Sequence, residues 1–320
     1  MKSRTDKEVF APQNSRWRFI VNPIAGGGKV GRRWLELEKK LRTAGVDFDA
    51  VFTEKKFHAV ELVAQATAEG CRKIAAVGGD GTAHEVVNGI FQQNHCPPGE
   101  ITFALLPVGT GNDWIRTHHI PKNFDRWMEM FRQEKTTRQD VGWLTFFKNG
   151  EPQKRLFMNV AGLSYDGFVA KKAEAHGAWV SNKIFYLYLI FRCLFQFRPP
   201  RARVVFDEKK VERKFYTINA GICRYSGGGI QLVPHAQPAD GKLALTLVNQ
   251  VSKLEVLLVT PLFYTGKIGW HPAVSFFQTE EIFIETLESQ PILVEADGEF
   301  LGEAPVRIGL CEEQLKFLIP

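Results

Sequence analysis

The sequence predicts an α/β fold of two domains: an N-terminal domain on a parallel sheet and a C-terminal, mainly antiparallel β domain. Three observations predict it. Short apolar runs alternate with segments of helical period from Trp17 to Leu106. After Asp140 the texture changes to short β-like runs bounded by turn residues. The length, 320 residues, matches two domains at roughly 150 residues each. The boundary is placed between residues 138 and 139, with the last strands free to return to the first domain.

Trp17 to Val21 reads as a buried strand, and Asn22 to Gly28 as a loop, by its proline and three glycines. Gly31 to Leu41 carries Trp34, Leu37 and Leu41 at helical spacing. Phe48 to Thr53 is a second strand, and His58 to Ala68 a second helix ended by Gly70. Lys73 to Val77 is a third strand, followed by Gly78-Gly79-Asp80-Gly81 and a helix from Thr82 to Phe91. Ile101 to Leu106 is a fourth strand, running into Pro107 to Asp113. Ligands of such sheets sit at the carboxyl ends of the strands, and each glycine-rich loop lies at such an end. Strand-like runs of the second half are 141–147, 156–160, 203–206, 215–218, 243–248 and 282–285.

Hydrophobic residues make up 44 % and charged residues 24 % of the chain. That composition excludes a disordered or fibrous protein. Five scattered cysteines without a C-x-x-C argue against a disulfide scaffold or zinc ribbon and for a reducing cytoplasm. The first fourteen residues have no apolar h-region and read as a polar tail rather than a signal peptide. The net charge is +6. Between Ala175 and Phe206 lie Lys183, Arg192, Arg198, Arg201 and Arg203, and no acid. The same window holds the apolar run Ile184 to Phe191, well short of the roughly 20 residues a membrane span needs. Two readings stay open: a core helix with a solvated basic end, or a segment lying on the anionic inner membrane surface through Arg198, Arg201 and Arg203. No nucleic-acid-binding signature is present.

The glycine loops carry the chemistry. Gly26 to Gly31 fits G-x-G-x-x-G, a weak signal alone, but a glycine turn before a helix offers backbone N–H groups to an anion. Lys29 beside it is either a phosphate contact or a solvated residue. In Gly78-Gly79-Asp80-Gly81-Thr82, glycines allow close backbone approach, and Asp80 can hold Mg²⁺ or position a hydroxyl. Gly109-Thr110-Gly111-Asn112-Asp113 repeats the design on another strand end. Either loop alone could be a turn with an N-cap; two on one sheet edge point to a phosphate site.

These motifs, in this order, resemble the diacylglycerol kinase catalytic domain, in its soluble bacterial lipid-kinase branch, with sphingosine kinases and NAD kinases as relatives. Gln139 to Gly142, Asn159 to Gly162, Pro234 to Gly241 and Asp297-Gly298-Glu299 extend the resemblance over nearly the whole chain. The resemblance implies an ATP-dependent lipid kinase that transfers the γ-phosphate to a lipid hydroxyl, such as that of diacylglycerol, in an interdomain cleft with Mg²⁺. It implies an ATP site at Asn22, Gly26, Gly27, Gly28, Thr53, Gly79, Asp80, Gly81, Thr82, Ala83, His84, Glu85, Thr110 and Asn112. It implies Glu299 as proton acceptor, with Asp297 second, and Asp80, Asp113 and Asp140 as an acidic network around catalytic Mg²⁺. A separate structural metal would sit at Asp240, with backbone carbonyls of Gln237 and Lys242. Alternatives are a kinase for a sphingoid base or NAD, and a non-catalytic nucleotide or lipid sensor. The lipid's identity and homodimer formation stay open.

Overall fold

The computed structural model describes residues 14–109, 112–176 and 183–320. The first domain runs β1 (Asn14–Val21), α1 (Ala25–Thr43), β2 (Phe48–Phe52), α2 (His58–Ala68), β3 (Cys71–Gly78), α3 (Asp80–Gln92), β4 (Thr102–Pro107), α4 (Trp114–Thr117), α5 (Phe124–Gln133) and β5 (Thr136–Gln139). The second runs β6 (Gly142–Lys148), β7 (Glu151–Phe157), β8 (Val160–Ser164), α6 (Tyr165–His176), α7 (Lys183–Gln196), β9 (Arg201–Phe206) and β10 (Lys209–Gly221). It continues with β11 (Tyr225–Ser226), β12 (Ile230–Gln231), β13 (Leu243–Asn249), α8 (Lys253–Thr265), β14 (Val274–Thr279), β15 (Glu281–Thr286), β16 (Leu293–Ala296), β17 (Glu299–Leu310) and β18 (Leu315–Leu318).

The first sheet has the order β2-β1-β3-β4-β18-β5. β1 to β4 and β18 are parallel neighbours, and β5 closes the edge antiparallel to β18. β3 and β4 are buried almost throughout, as expected of parallel strands covered on both faces. α1 packs on the sheet through Val30, Trp34, Leu37 and Leu41, one stripe of a 3.6-residue period. α5 starts at Asn123, whose side chain accepts the Arg126 N–H at 3.1 Å, and buries Trp127 stacked on Phe131.

The second domain is a sheet closed on itself. β10 is long enough to serve two roles: residues 209–214 pair with β9, and residues 215–221 lie between β8 and β13. β9, β15, β17, β16 and β8 complete the ring back to β10. The apolar run expected at 156–160 divides between the end of β7 and the start of β8. The run at Ile184 to Phe191 lies within α7. α8, which no sequence pattern had singled out, starts with a capping box of Ser252 and Glu255 and ends at left-handed Gly266. No described helix is long and apolar enough to cross a membrane.

Candidate active site

Three glycine loops meet at the carboxyl ends of β1, β3 and β4. Gly26, Gly27 and Gly28 all have positive φ (+63°, +70°, +78°), so the chain coils into α1 with no side chains in the way, the Gly28 N–H closing the turn on the Ile24 carbonyl at 2.9 Å. The loops touch backbone to backbone: a Cβ on Gly109 would lie 2.5 Å from Gly79 Cα, and one on Gly26 3.3 Å from the Val108 carbonyl. The Gly78 carbonyl accepts the N–H groups of Val108 and Gly109, both at 2.9 Å. Asn22 Nδ2 donates to Thr82 Oγ1 at 3.1 Å, while its Oδ1 is buried without a partner. No side chain caps the N-terminus of α3, so its first N–H groups face the space between the loops.

The opposite wall comes from the second domain. Asp297 and Gly298 form the two-residue connection between β16 and β17, with φ of +50° and +83° at the two positions, as a type I′ hairpin requires. This turn sends its two carboxylates to different tasks. Asp297 accepts the N–H groups of Met158 (2.9 Å), Asn159 (2.9 Å) and Val160 (3.2 Å) and binds His84 Nδ1 at 2.9 Å. Its oxygens are committed, and its side chain is 1 % exposed. Glu299 is 19 % exposed and opens to the cleft, held by Lys56 Nζ at 2.5 Å and 3.7 Å from His84 Nε2. His84 thus links α3 of one domain to the turn of the other.

The cleft between the walls measures about 710 Å³. Asn22, Gly26, Gly79, Asp80, Gly81, Thr82, His84, Glu85, Asp297 and Glu299 line it together. Ala25, Lys56, Gly109, Gly298, Phe300 and three residues of α6 (Ala170, Ala173 and Glu174) complete it. Other residues expected at the ATP site stand elsewhere. Ala83 is fully buried in the core, because its helical position turns it toward the sheet. Thr53 is buried at the end of β2, its N–H bonded to the Val21 carbonyl. Gly27, Gly28 and Lys29 lie in the next turn, off the cleft wall. Asn112 supports the loop from behind, donating to the Gly109 carbonyl at 2.8 Å. Thr110 lies outside the described residues.

The expected acidic network is divided. Asp80 accepts the N–H groups of Asp113 (2.9 Å) and Trp114 (3.2 Å), tying the second glycine loop to the third. Burial raises its pKa to about 6, helped by the charges of Asp113 and Asp297 and opposed by those two N–H groups. Asp113 accepts the Gly228 N–H at 2.7 Å, and its Oδ1 faces the Arg116 guanidinium at 3.5 Å; burial raises its pKa too. Asp140 stands apart from this pair. Its oxygens accept the Gly241 N–H (2.9 Å) and the Gln314 amide (2.8 Å), so it braces the 238–241 turn. Within that turn Asp240 is engaged by the Lys242 N–H (3.1 Å) and the Gln278 amide (3.1 Å). The Lys242 N–H that meets Asp240 leaves the Lys242 carbonyl, and a second lone pair on each Asp240 oxygen, uncommitted by these bonds. Among the described residues no three His, Cys, Asp or Glu side chains converge as a metal cage.

Catalytic Mg²⁺ fits on different grounds. The cleft is lined by Asp80, Glu85, Glu174, Asp297 and Glu299, against one lysine. A polyphosphate enters such a cleft only with a cation, and Mg²⁺ bridging phosphates needs one or two carboxylates, keeping water elsewhere. Asp80, on the cleft wall, would supply such an oxygen, with Asp113 tied to it through its backbone N–H.

Two further cavities continue from the cleft. A narrow one of about 170 Å³ shares Ala170, Ala173 and Gly298 with it. This passage also meets Ser226 and Gly227, Asp166 and Glu295. It shares Tyr165, Asp166, Ile190, Ile230 and Leu232 with a third, apolar cavity of about 620 Å³ under α7 and α8. No sequence motif marks this pocket. Its walls come from α6, α7, β10, β12 and α8.

Residues 16–144 match the diacylglycerol kinase catalytic domain, and residues 159–319 the YegS C-terminal NAD kinase beta sandwich-like domain. The chain is similar to the diacylglycerol kinase of Staphylococcus saprophyticus, with 26 % identity over 305 residues, covering 95 % of each chain. Its identity to the Staphylococcus aureus diacylglycerol kinase is 27 % over 305 residues, covering 95 % of this chain and 92 % of that one. In fold it is similar to a crystal structure of a diacylglycerol kinase from Bacillus anthracis, with a TM-score of 0.68 and 21 % identity, covering 95 % of this chain and 97 % of that one.

Proposed function

The chain belongs to the family of lipid kinases with a diacylglycerol kinase catalytic domain and a YegS-type second domain, and on that premise we propose that it transfers the γ-phosphate of ATP to the hydroxyl of a lipid such as diacylglycerol. The observation that carries the substrate class is the continuous path from the glycine-loop cleft to the apolar pocket under α7 and α8. A hydroxyl presented at Gly298 can keep its acyl chain in that pocket. NAD, polar along its whole length, has no use for such a cavity, so the pocket favours a lipid over the dinucleotide. Ceramide, sphingosine and diacylglycerol all meet the same requirement.

The phosphates of ATP lie against the loops at Gly26, Gly79 to Thr82 and Gly109, where N–H groups and the N-terminus of α3 bind anionic oxygens. Asp80 would hold Mg²⁺, which neutralises phosphate charge as it develops. Glu299 lines the cleft beside Gly298, where the passage meets it, and accepts the hydroxyl's proton during in-line attack on the γ-phosphorus. Asp297 is a positioning residue: its four partners fix the hairpin on which Glu299 rides. Lys56 pairs with Glu299 and stands where incoming phosphates would compete for its ammonium.

Transfer of γ-labelled phosphate to a panel of diacylglycerol, monoacylglycerol, sphingosine, ceramide and NAD in mixed micelles tests the proposal. Label in a long-chain lipid and none in NAD is the expected result. Label in NAD would overturn the substrate class. ATP binding without transfer to any acceptor would move the chain to the sensor reading.

A further inference from the structure

A basic cavity adjoins the apolar pocket and shares no residue with the cleft. Leu194 and Tyr216 line both the pocket and this cavity, which measures about 400 Å³. The cavity is bordered by Arg198, Lys214 and Lys253 and by no acid. Among the described residues none of the three pairs with a carboxylate. Lys253 Nζ donates to the Phe195 carbonyl, which holds the start of α8 against the end of α7. Around this basic cavity the two helices turn large apolar side chains outward. Tyr188, Phe191 and Phe195 follow one face of α7. Leu254 and Leu258, 66 % and 72 % exposed, stand on α8, a mainly apolar helix with no buried residue at all. The one acid of α8, Glu255, is turned to His271 at 3.0 Å and to its own capping box.

We propose that Arg198, Lys214 and Lys253 form a headgroup site for an anionic phospholipid of a bilayer leaflet, and that the outward faces of α7 and α8 enter the same leaflet beside it. The complementarity is of both kinds at once. Unpaired cations in a shallow cavity suit a phosphodiester, and the exposed leucines and aromatic rings next to it suit acyl chains. Neither half explains the other: a site for free phosphate would not need the apolar rim, and an apolar protein interface would not need three unpaired cations. The site sets the mouth of the substrate pocket against the membrane that stores the substrate. It also revises the basic cluster expected from sequence. Arg203 is neutralised by Glu212 and Glu285 within the barrel wall, and its place is taken by Lys214 and Lys253, remote from it in sequence.

Flotation of the full-length chain with phosphatidylcholine vesicles, with and without phosphatidylglycerol, tests this. Binding is expected only with phosphatidylglycerol and is lost at high salt. An Arg198→Gln/Lys214→Gln variant should bind roughly thirtyfold more weakly, and Leu254→Asn/Leu258→Asn at least about tenfold more weakly. All four positions are at the surface, and circular dichroism verifies that both variants fold. Unchanged binding by either variant overturns the proposal. So does inorganic phosphate that displaces the chain from vesicles while the double-Asn variant binds normally, because the site would then take a free anion. Phosphate transfer by the wild-type chain to diacylglycerol in nonionic detergent reads the kinase separately, so failure of one idea is distinguishable from failure of the other.

Discussion

The glycine-loop cleft and the apolar pocket are joined by one passage, yet they are built by opposite means. The cleft is made largely of backbone, with three short loops in which glycine permits positive φ or direct contact between main chains. The pocket is made of side chains from five elements spread over nearly a hundred residues, from Tyr165 to Phe263. Phosphate is recognised by directed N–H groups, so its site demands particular residues at particular spacings. An acyl chain is recognised by area removed from water, and many apolar residues supply that equally well. The first kind of site leaves a motif and the second does not.

The largest expected effect falls on the cleft. Glu299→Gln should lower kcat by about 10²- to 10⁴-fold with the KM for ATP little changed, since a general base acts in the transition state. A steady-state assay checks it, and an unaltered kcat would remove Glu299 from the role. Gly109→Ala strikes the same region through the backbone. Its Cβ would meet Gly79 Cα at 2.5 Å and Gly79 N at 2.9 Å, and neither can step aside alone. A stability loss of about 1–3 kcal/mol is expected, with the KM for ATP up about tenfold, by urea unfolding and kinetics. A normal KM would mean that the loops separate without cost to nucleotide binding.

The passage between the regions carries a buried acidic pair. Asp166 and Glu295 crowd Gly162, and burial raises the pKa of Asp166 to about 6 and that of Glu295 well above its ordinary value. Over the range from about 4 to 6 the native state therefore binds more protons at Asp166 than the unfolded chain does. Stability contributed there is present at low pH and lost as pH rises through about 6. The shift of about two units corresponds to at most about 3 kcal/mol. Calorimetry of Asp166→Asn should show a flatter stability profile between about pH 4 and pH 7; the wild-type slope in the variant would place the titration elsewhere.

The smallest increments belong to the pocket. For a series of diacylglycerols, kcat/KM should rise about fourfold per methylene, from about 0.8 kcal/mol each, until the pocket is full. A flat series would separate the pocket from the reaction and end the comparison drawn above.

Particular elements show what was legible. His58 to Ala68 was readable to the residue from its apolar period and terminal glycine. The Asp-Gly pair at 297–298 was readable as part of a family motif, and its physical basis is the positive φ that a two-residue hairpin needs. Lys56 gave no signal, since one lysine in a charged loop looks like any other; only the fold brings it to Glu299. α8 was hidden because it has no polar face to set its period: its apolar residues run nearly all round.

By itself the sequence determined the two kinds of domain, the order of the glycine loops and the family, because each depends on local backbone preference or on residues close in the chain. Tertiary structure alone decided that Asp140 braces Asp240's turn rather than joining Asp80, that Asp297 orients while Glu299 faces the cleft, and that an apolar pocket opens beside unpaired cations. Those outcomes depend on which side chains arrive together from distant elements. That is settled by packing, where a carboxylate takes whatever N–H groups the fold brings within reach.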